Sequence, residues 1–293
     1  MVKMKSESTG QNIKQTYLAL RFAMVLLVAM LFGSIIVQYF AYSPDCFQHS
    51  ISAYYFTAAR GVFVGSLCAI GVCLIIHRGS TDAENVLLDY SGFMALVVAF
   101  VPTTIDRTCA VSNAPSDDEL AEAVQNNVLA LFGIAIIAVI LGVFVKKVRQ
   151  DPNGPLTAFA KWALGVTLLL LFAGFWIFLM WRYEFQQEAH DWSARLLFVG
   201  IFGVVVVNAI ELGKEGSGPK KWVNKYSVLA GLMVVAAGGC LVAKAALDFG
   251  HWLTLLEALL IAGFGVFWMI QTNELGGKVS RKDEGTPEDR AAV

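Results

Sequence analysis

The chain has 293 residues, of which 57% are hydrophobic and only 15% are charged, whereas soluble domains average about 25% charged residues. This composition indicates an integral membrane protein whose main partner is the lipid bilayer. The formal net charge of −1 provides no basic excess for nucleic-acid binding. No P-loop, dinucleotide fingerprint or zinc-type cysteine pair occurs in the sequence.

Eight apolar segments are long enough to cross a membrane as helices, which takes roughly 20 residues each. They lie at about 16–40, 60–77, 86–105, 126–145, 159–181, 192–212, 226–247 and 252–271. Because open strands cannot cross lipid, the sequence predicts an all-α, polytopic helical bundle over residues 1–272. The charged segment 273–293 lacks apolar periodicity and is predicted to be a flexible cytoplasmic tail.

The distribution of basic residues predicts the orientation, because cytoplasmic loops are enriched in Lys and Arg. If the eight spans alternate, most basic residues in the loops and near the ends of the spans fall on one side. They are Lys3, Lys5, Lys14, Arg78, Lys146, Lys147, Arg149, Lys161, Lys214, Lys220, Lys221, Lys225, Lys278, Arg281, Lys282 and Arg290. This side is predicted to be cytoplasmic and to hold both termini.

Two local motifs predict how individual helices begin and pack. Ser116 to Glu119, directly after Pro115, has the spacing of a capping box, which predicts a helix beginning near Asp117. Gly61 and Gly65 are four residues apart at the start of the second span. This small-xxx-small pattern predicts close contact with another helix.

Polar side chains collect near the outer ends of the predicted spans, which predicts a polar cavity at the outer face. An ionisable residue inside a span is costly and tends to face a cavity or the bundle interior, and Glu257 is the best example. The candidate cavity residues are Ser50, Ser52, Tyr54, Tyr55, Arg60, Asp106, His190, Ser193, His251 and Glu257.

Structural roles compete with this interpretation. Two pairs have the spacing of ion pairs within one helix: Asp191 with Arg195, and Lys244 with Asp248. Arg60 and Glu257 have no opposite charge at helical spacing and could instead pair with each other across helices. Tyr54 and Tyr55 are also typical of aromatic side chains at a membrane interface.

Histidines and cysteines raise two further possibilities. His190 and His251, with a carboxylate, could hold zinc with an open position for water, although they come from different segments. Cys46 and Cys109 fall in outer loops, where disulfides are permitted, and the sequence predicts a bond between them. The other cysteines, Cys68, Cys73 and Cys240, lie in apolar helices and are predicted to be core residues.

Several sequence blocks resemble an uncharacterised family of bacterial multi-span membrane proteins. The blocks are Ser50-Ile-Ser-Ala-Tyr-Tyr with Arg60-Gly-Val-Phe-Val-Gly, Asp89-Tyr-Ser-Gly-Phe-Met-Ala-Leu with Val101-Pro-Thr103, His190-Asp-Trp-Ser-Ala194, and Trp252-Leu-Thr-Leu-Leu-Glu257 with Gly263-Phe-Gly-Val-Phe-Trp268. The resemblance implies a location in the bacterial plasma (inner) membrane and no established activity. Spans 4 and 5 look like an addition between the Asp89 block and the His190 block.

A more distant resemblance is to the CREST membrane hydrolases, which use a serine, an aspartate and histidine metal ligands in a seven-span bundle. It implies such roles for Ser50 or Ser52, Asp106, His190 and His251. Three functions therefore stay open: binding of a lipid or small molecule, zinc-dependent hydrolysis of a lipid amide or ester, and transport. In the hydrolase, Asp106 or Glu257 would act as the base and Ser52 would stabilise the oxyanion.

Overall fold

The structure is a computed structural model that describes residues 2–42, 46–104, 115–149, 158–218, 220–276, 278 and 281. All regular structure in these ranges is helical, which confirms the all-α prediction. The helices are α1 (Val2–Val37), α2 (Arg60–Ile76), α3 (Asp82–Phe100), α4 (Asp117–Arg149), α5 (Ala158–Met180), α6 (Arg182–Glu215), α7 (Lys225–Leu247) and α8 (Trp252–Leu275). A π-helical turn, Gln38–Tyr42, follows α1, and a 3₁₀ helix, Ser52–Phe56, precedes α2.

By length and composition, 6 of the described helices can cross a membrane. They are Gln11–Tyr42, Asp82–Phe100, Asp118–Leu141, Arg182–Glu215, Lys225–Leu247 and Trp252–Leu275. Two further apolar helices, Arg60–Ile76 and Gly165–Met180, are shorter. At about 1.5 Å per residue α2 reaches about 26 Å, against a hydrocarbon core of about 30 Å. These helices indicate a multi-pass membrane protein, whereas the count of eight spans and the side of the termini stay predictions.

The α1, α2, α3, α6, α7 and α8 helices close into a ring. α1 contacts α2 and α8, α3 contacts α2 and α6, and α7 contacts α6 and α8. The α4 helix packs against α3, and α5 packs against α3 and α6, so both lie on the outside of the ring. Fully buried side chains fill the ring, among them Met24, Leu74, Leu88, Val205 and Trp268.

The α2 and α3 helices touch backbone to backbone at Gly71 and Gly92. A Cβ atom on Gly92 would lie 2.5 Å from the carbonyl oxygen of Gly71, and one on Gly71 would lie 2.8 Å from that of Gly92. The predicted close contact at Gly61 and Gly65 is wrong, because a Cβ atom at either position meets open space. Both glycines are exposed, on the face of α2 that points away from the bundle.

The predicted start of α4 is confirmed. The backbone N–H of Ser116 donates to Glu119 Oε2 over 2.9 Å, and the N–H of Glu119 donates to Ser116 Oγ over 3.2 Å. These reciprocal bonds are the predicted capping box, and α4 begins at the following residue, Asp117.

The chain beyond residue 272 is ordered further than the predicted tail boundary. The α8 helix continues to Leu275, and Arg21 Nη1 of α1 donates to the carbonyl oxygens of Gly276 (3.3 Å) and Lys278 (3.1 Å). The backbone N–H of Arg281 donates to Ser80 Oγ over 3.1 Å. The described part of the predicted flexible tail is therefore docked on the bundle, and the rest lies outside the described residues.

Candidate functional site

The segment from Gln48 to Phe56 packs against the beginning of α8. All five residues of the 3₁₀ helix, Ser52–Phe56, are buried. Thr254 Oγ1 donates to the carbonyl oxygen of Gln48 over 2.7 Å, and the backbone N–H of Thr254 donates to that of His49 over 3.1 Å. These bonds hold the segment as a cap over the end of the bundle where α2, α6 and α8 begin. We call this end the Glu257 end.

Glu257 joins this segment to the bundle interior. Its side chain is 8% exposed, and its Oε2 accepts the backbone N–H of Ile51 over 2.6 Å. Ile51 is the residue before the 3₁₀ helix, and no side chain of the helix itself caps it. The carboxylate therefore binds the N-terminal end of that helix from across the bundle, while Ser50 Oγ accepts the Ala53 N–H in its first turn.

A cavity opens below Glu257 and runs between the helices of the ring. Its walls come from α1, α2, α3, α6, α8 and the segment before α2. It is lined by Val28, Leu31, Ile51, Ser52, Phe63, Leu67, Ile70, Leu74, Ala95, Val98, Ala194, Leu197, Phe198, Ile201, Glu257, Ile261 and Phe264. Only Ser52 and Glu257 among these residues are polar. The sequence predicted a polar cavity, whereas the structure shows an apolar cavity with one polar end.

The cavity is long and narrow. Its lining residues on α2 extend from Phe63 to Leu74, and those eleven steps correspond to about 16 Å of helix. The volume open to the centre of a water molecule is about 60 Å³, several times the ~10–15 Å³ that holds one water. This shape suits an extended chain better than a bulky ring system.

The wall of the cavity is thinnest between α6 and α8. Fourteen lining residues are buried, and the three that are partly exposed are Ala194 and Phe198 on α6 and Ile261 on α8. The α7 helix contacts both neighbours, but its last residues, 241–247, are mostly exposed. The cavity therefore lies closest to the surface beside the last turns of α7.

Several predicted cavity residues are buried near the cavity without lining it. Ser50 is 7% exposed, and its Oγ accepts the backbone N–H of Ala53 over 3.1 Å. Tyr54 and Tyr55 are 1% and 3% exposed, so they are core residues rather than interfacial aromatics. Ser193 is buried on α6.

Arg60 does not pair with Glu257. Its side chain is exposed, its Nη2 donates to Tyr55 Oη over 2.7 Å, and its guanidinium lies 4.3 Å from the centre of the Tyr55 ring. Of the two predicted pairs within one helix, Asp191 and Arg195 are 3.8 Å apart. Lys244 instead lies over the Trp252 ring, 4.3 Å from its centre.

The structure places His190 and His251 in different surroundings. His190 is 2% exposed, and its Nδ1 lies 2.6 Å from the carbonyl oxygen of Val101 at the end of α3. The His251 ring packs edge-on against Phe47 and His49, with centres 5.3 Å and 5.4 Å apart. No group of three metal-ligating side chains occurs in the part of the chain that the structure describes.

Asp106 and Cys109 lie outside the described residues. Cys46 is disulfide-bonded, and Cys68, Cys73 and Cys240 are free thiols. Cys109 is the remaining cysteine of the sequence, and the pairing of Cys46 with it stays a prediction.

A buried polar cluster that the sequence reading missed lies at the opposite end, where α3 and α7 begin. Glu84 of α3, Asn208 of α6 and Gln271 of α8 are each at most 1% exposed. Glu84 Oε1 accepts from Asn208 Nδ2 (2.9 Å) and Gln271 Nε2 (3.0 Å), and Glu84 Oε2 accepts the N–H of Ser80 (2.7 Å). The signal was present in the sequence, because Asn208 and Gln271 interrupt long apolar runs.

A second cluster at that end holds the chain after α8. The Glu274 carboxylate is bound by Lys225 Nζ (2.7 Å), Tyr226 Oη (2.8 Å) and Arg281 Nε. The Arg281 side chain is 6% exposed, and its guanidinium lies 5.2 Å from the centre of the Tyr226 ring. These contacts fasten α7, α8 and the chain that follows to one another.

Comparison with known proteins gives no match to a family model, a curated protein or a solved structure. The resemblances to the bacterial membrane family and to the CREST hydrolases stay predictions, and the function is inferred from the site.

Proposed function

We propose that this chain is an eight-span integral membrane protein of the bacterial plasma membrane, with both termini in the cytoplasm, that binds a lipid or small molecule. The observation that carries the proposal is the buried carboxylate of Glu257 at one end of an otherwise apolar cavity. Membrane proteins tolerate a buried ionisable group at functional sites more often than elsewhere, because its cost must be offset.

The proposed span count adds α2 and α5 to the six longer helices. α2 is part of the ring, between α1 and α3, and a short span is accommodated by local thinning of the bilayer. With eight alternating spans, the Glu257 end faces outward and the Glu84 end faces the cytoplasm. The positive-inside distribution of Lys and Arg supports this orientation.

The cavity has the character of an amphiphile site. Its apolar walls suit a hydrocarbon chain, and Ser52 and Glu257 provide polar atoms at one end for a head group. The thin wall at Ala194, Phe198 and Ile261 provides a route from the surrounding lipid. An amphiphile could enter there with its chain toward Leu74 and its head toward Glu257.

The zinc-hydrolase and transporter alternatives have less support. The hydrolase requires His190 and His251 to bind one metal, but the described contacts of the two side chains share no residue. A transporter of the broken-helix type would need interrupted spans near the midplane, and α6, α7 and α8 are continuous. The lipid-binding role is therefore the function that the cavity supports best.

Binding is tested by substituting Ala194 with tryptophan. The larger side chain obstructs the proposed route of entry between α6 and α8 and reduces the space in the cavity. We expect the purified variant to retain less co-purifying lipid than the wild type, measured by native mass spectrometry after delipidation and re-addition of membrane lipid extract. Ala130→Trp is the matched control, because Ala130 is exposed on α4, outside the ring. Equal lipid retention by all three proteins contradicts the proposal. Loss of retention on chelation, with recovery on addition of zinc, favours the hydrolase instead.

A further inference from the structure

The charge of Glu257 is not balanced by any described residue of the chain. The carboxylate accepts the Ile51 N–H and lies beside Ser52, but no Lys or Arg of the described ranges forms an ion pair with it. A buried carboxylate without a cation is expensive, since desolvation is not repaid by attraction. The hydrogen bonds from the Ile51 and Ser52 backbone and from the Ser52 side chain offset only part of that cost, because none of these groups carries a positive charge.

Three described basic side chains at the Glu257 end have other partners. Arg60 binds Tyr55, Arg195 pairs with Asp191, and Lys244 lies over Trp252. Asp191 acts on Glu257 as a like charge and so does not stabilise its ionised form. None of the ion pairs between described residues therefore offsets the negative charge of Glu257 at the polar end of the cavity.

We propose that the cavity binds a single-chain amphiphile whose head group is a primary ammonium, with the ammonium against Glu257 and Ser52 and the alkyl chain between α2, α6 and α8. This assignment rests on the proposed lipid-binding function and names the ligand class of the same cavity. The ammonium supplies the cation that the buried carboxylate lacks.

The hydrogen-bonding capacity of the site matches an ammonium. An ionised carboxylate has about four lone-pair sites, and an ammonium has three donors and no acceptor. The Ile51 N–H, the Ser52 N–H and the Ser52 hydroxyl bind Glu257, which leaves about one lone-pair site on the carboxylate, and the Ser52 oxygen can accept a further bond. A fatty-acid carboxylate would meet like charge, and a neutral alcohol would leave the charge of Glu257 unbalanced.

The apolar part of the cavity limits the tail to one chain. The walls are Phe63, Leu67, Ile70 and Leu74 of α2 on one side and Leu197 and Ile201 of α6 on the other. The cavity is extended along α2 but has a small volume open to water, about 60 Å³. This small volume favours one extended alkyl chain over the two chains of a typical phospholipid.

The test compares three amphiphiles of equal chain length on the full-length protein in a neutral detergent. Dodecylamine, 1-dodecanol and dodecanoate are titrated, and binding is measured by the shift in thermal unfolding. We expect dodecylamine to bind at least about tenfold more tightly than dodecanol, which corresponds to one charge-assisted hydrogen bond, and dodecanoate to bind most weakly. Equal binding of all three overturns the ammonium assignment but leaves lipid binding intact, whereas no binding of any of them also contradicts the proposed function.

Glu257→Gln separates the ligand role from the capping role. Its amide oxygen can still accept the Ile51 N–H, while the charge is lost, so we expect the preference for dodecylamine to vanish and dodecanol binding to stay unchanged. Glu188→Gln is the control, because Glu188 is exposed on α6. If Glu257→Gln does not fold, Ser52→Ala must weaken dodecylamine binding alone. An unchanged preference in the folded Glu257→Gln protein, or in Ser52→Ala where that is the variant used, overturns the proposal.

Discussion

Asn208 Nδ2 donates to Glu84 Oε1 over 2.9 Å, joining α6 to α3 where both side chains are at most 1% exposed. Gln271 of α8 donates to the same oxygen over 3.0 Å. One carboxylate oxygen thus ties together three helices that are separated in sequence by 124 and 63 residues. This arrangement fixes the relative positions of α3, α6 and α8 at the Glu84 end, whereas the polar end of the cavity lies at the Glu257 end.

Substitution of Asn208 by alanine should destabilise the protein, because it removes one donor from a buried carboxylate. We expect a loss of about 1–3 kcal/mol in the free energy of unfolding, seen as a lower midpoint of thermal unfolding in detergent. Glu211→Ala is the control on the same helix: its pair with Lys214 is partly exposed and should contribute less than about 1 kcal/mol. Equal effects of the two substitutions would contradict a structural role for the cluster.

Gly92→Ala should be strongly destabilising, since its Cβ atom would lie 2.5 Å from the Gly71 carbonyl oxygen. The Cβ atom is fixed to the α3 backbone and the oxygen belongs to the α2 backbone, so the two helices must separate, and overpacking of this kind costs about 1–3 kcal/mol. Gly65→Ala on α2 meets open space and should leave the unfolding midpoint unchanged or slightly higher. Unfolding curves of both variants and the wild type are recorded in one detergent. An unfolding midpoint of Gly92→Ala equal to that of Gly65→Ala would contradict the close contact between α2 and α3.

Arg281→Ala should release the chain that follows α8. The variant loses the bond to Glu274 and the contact with Tyr226, although Glu274 keeps Lys225 and Tyr226. We expect faster cleavage after α8 in limited proteolysis, whereas Arg78→Ala, which removes an exposed pair with Asp89, should be cleaved like the wild type. Identical cleavage rates for wild type and Arg281→Ala would show that Arg281 does not hold the chain.

The same contact predicts how the docking depends on pH. Burial lowers the pKa of the Arg281 guanidinium, but the hydrogen bond to Glu274 and nearby negative charge raise it by more, so its pKa lies above the ordinary value. A basic group with a raised pKa in the folded state stabilises that state below its unfolded pKa and ceases to do so only as pH rises through the folded pKa. The contribution of Arg281 should therefore stay constant through neutral pH.

The sequence was sufficient for features that depend on local patterns. The capping box at Ser116 predicted the start of α4, because both partners lie within one helical turn. Glu257 was recognised as an unusual carboxylate inside a span, since its cost is independent of the partners it finds.

Features that depend on helix packing could not be predicted in this way. The lining of the cavity consists of Leu, Ile, Val and Phe side chains that look the same in sequence whether they face lipid, a neighbouring helix or an empty space. Gly71 and Gly92 form a close contact, whereas Gly61 and Gly65 face outward, because the rotation of each helix about its axis is set by tertiary packing. The Glu84 cluster could not be predicted either, because it joins three segments that are distant in sequence and meet only through tertiary packing.

The proposed topology predicts that both the α4–α5 connection and the C-terminus are cytoplasmic. Reporter fusions after Lys147 and after Val293 should both give the cytoplasmic signal, because an even number of spans separates these positions. A fusion after Lys244, close to the Glu257 end, should give the opposite signal. A cytoplasmic reading after Lys244 would exclude the outward orientation of the cavity's polar end.

Cys46 is disulfide-bonded, and we predict that its partner is Cys109. The bond would connect the segment before the 3₁₀ helix to the chain after α3, so it would help to hold the cap over Glu257. Closing a loop of this length stabilises a protein by about 4 kcal/mol in loop-closure entropy.

Alkylation of the denatured, unreduced protein should label Cys68, Cys73 and Cys240 alone, and digestion should yield one peptide pair that contains Cys46 and Cys109. Cys46→Ser should expose Cys109 to the label and lower the unfolding midpoint, whereas Cys240→Ser should leave the peptide pair intact. Labelling of Cys109 in the unreduced wild type would rule out this pairing.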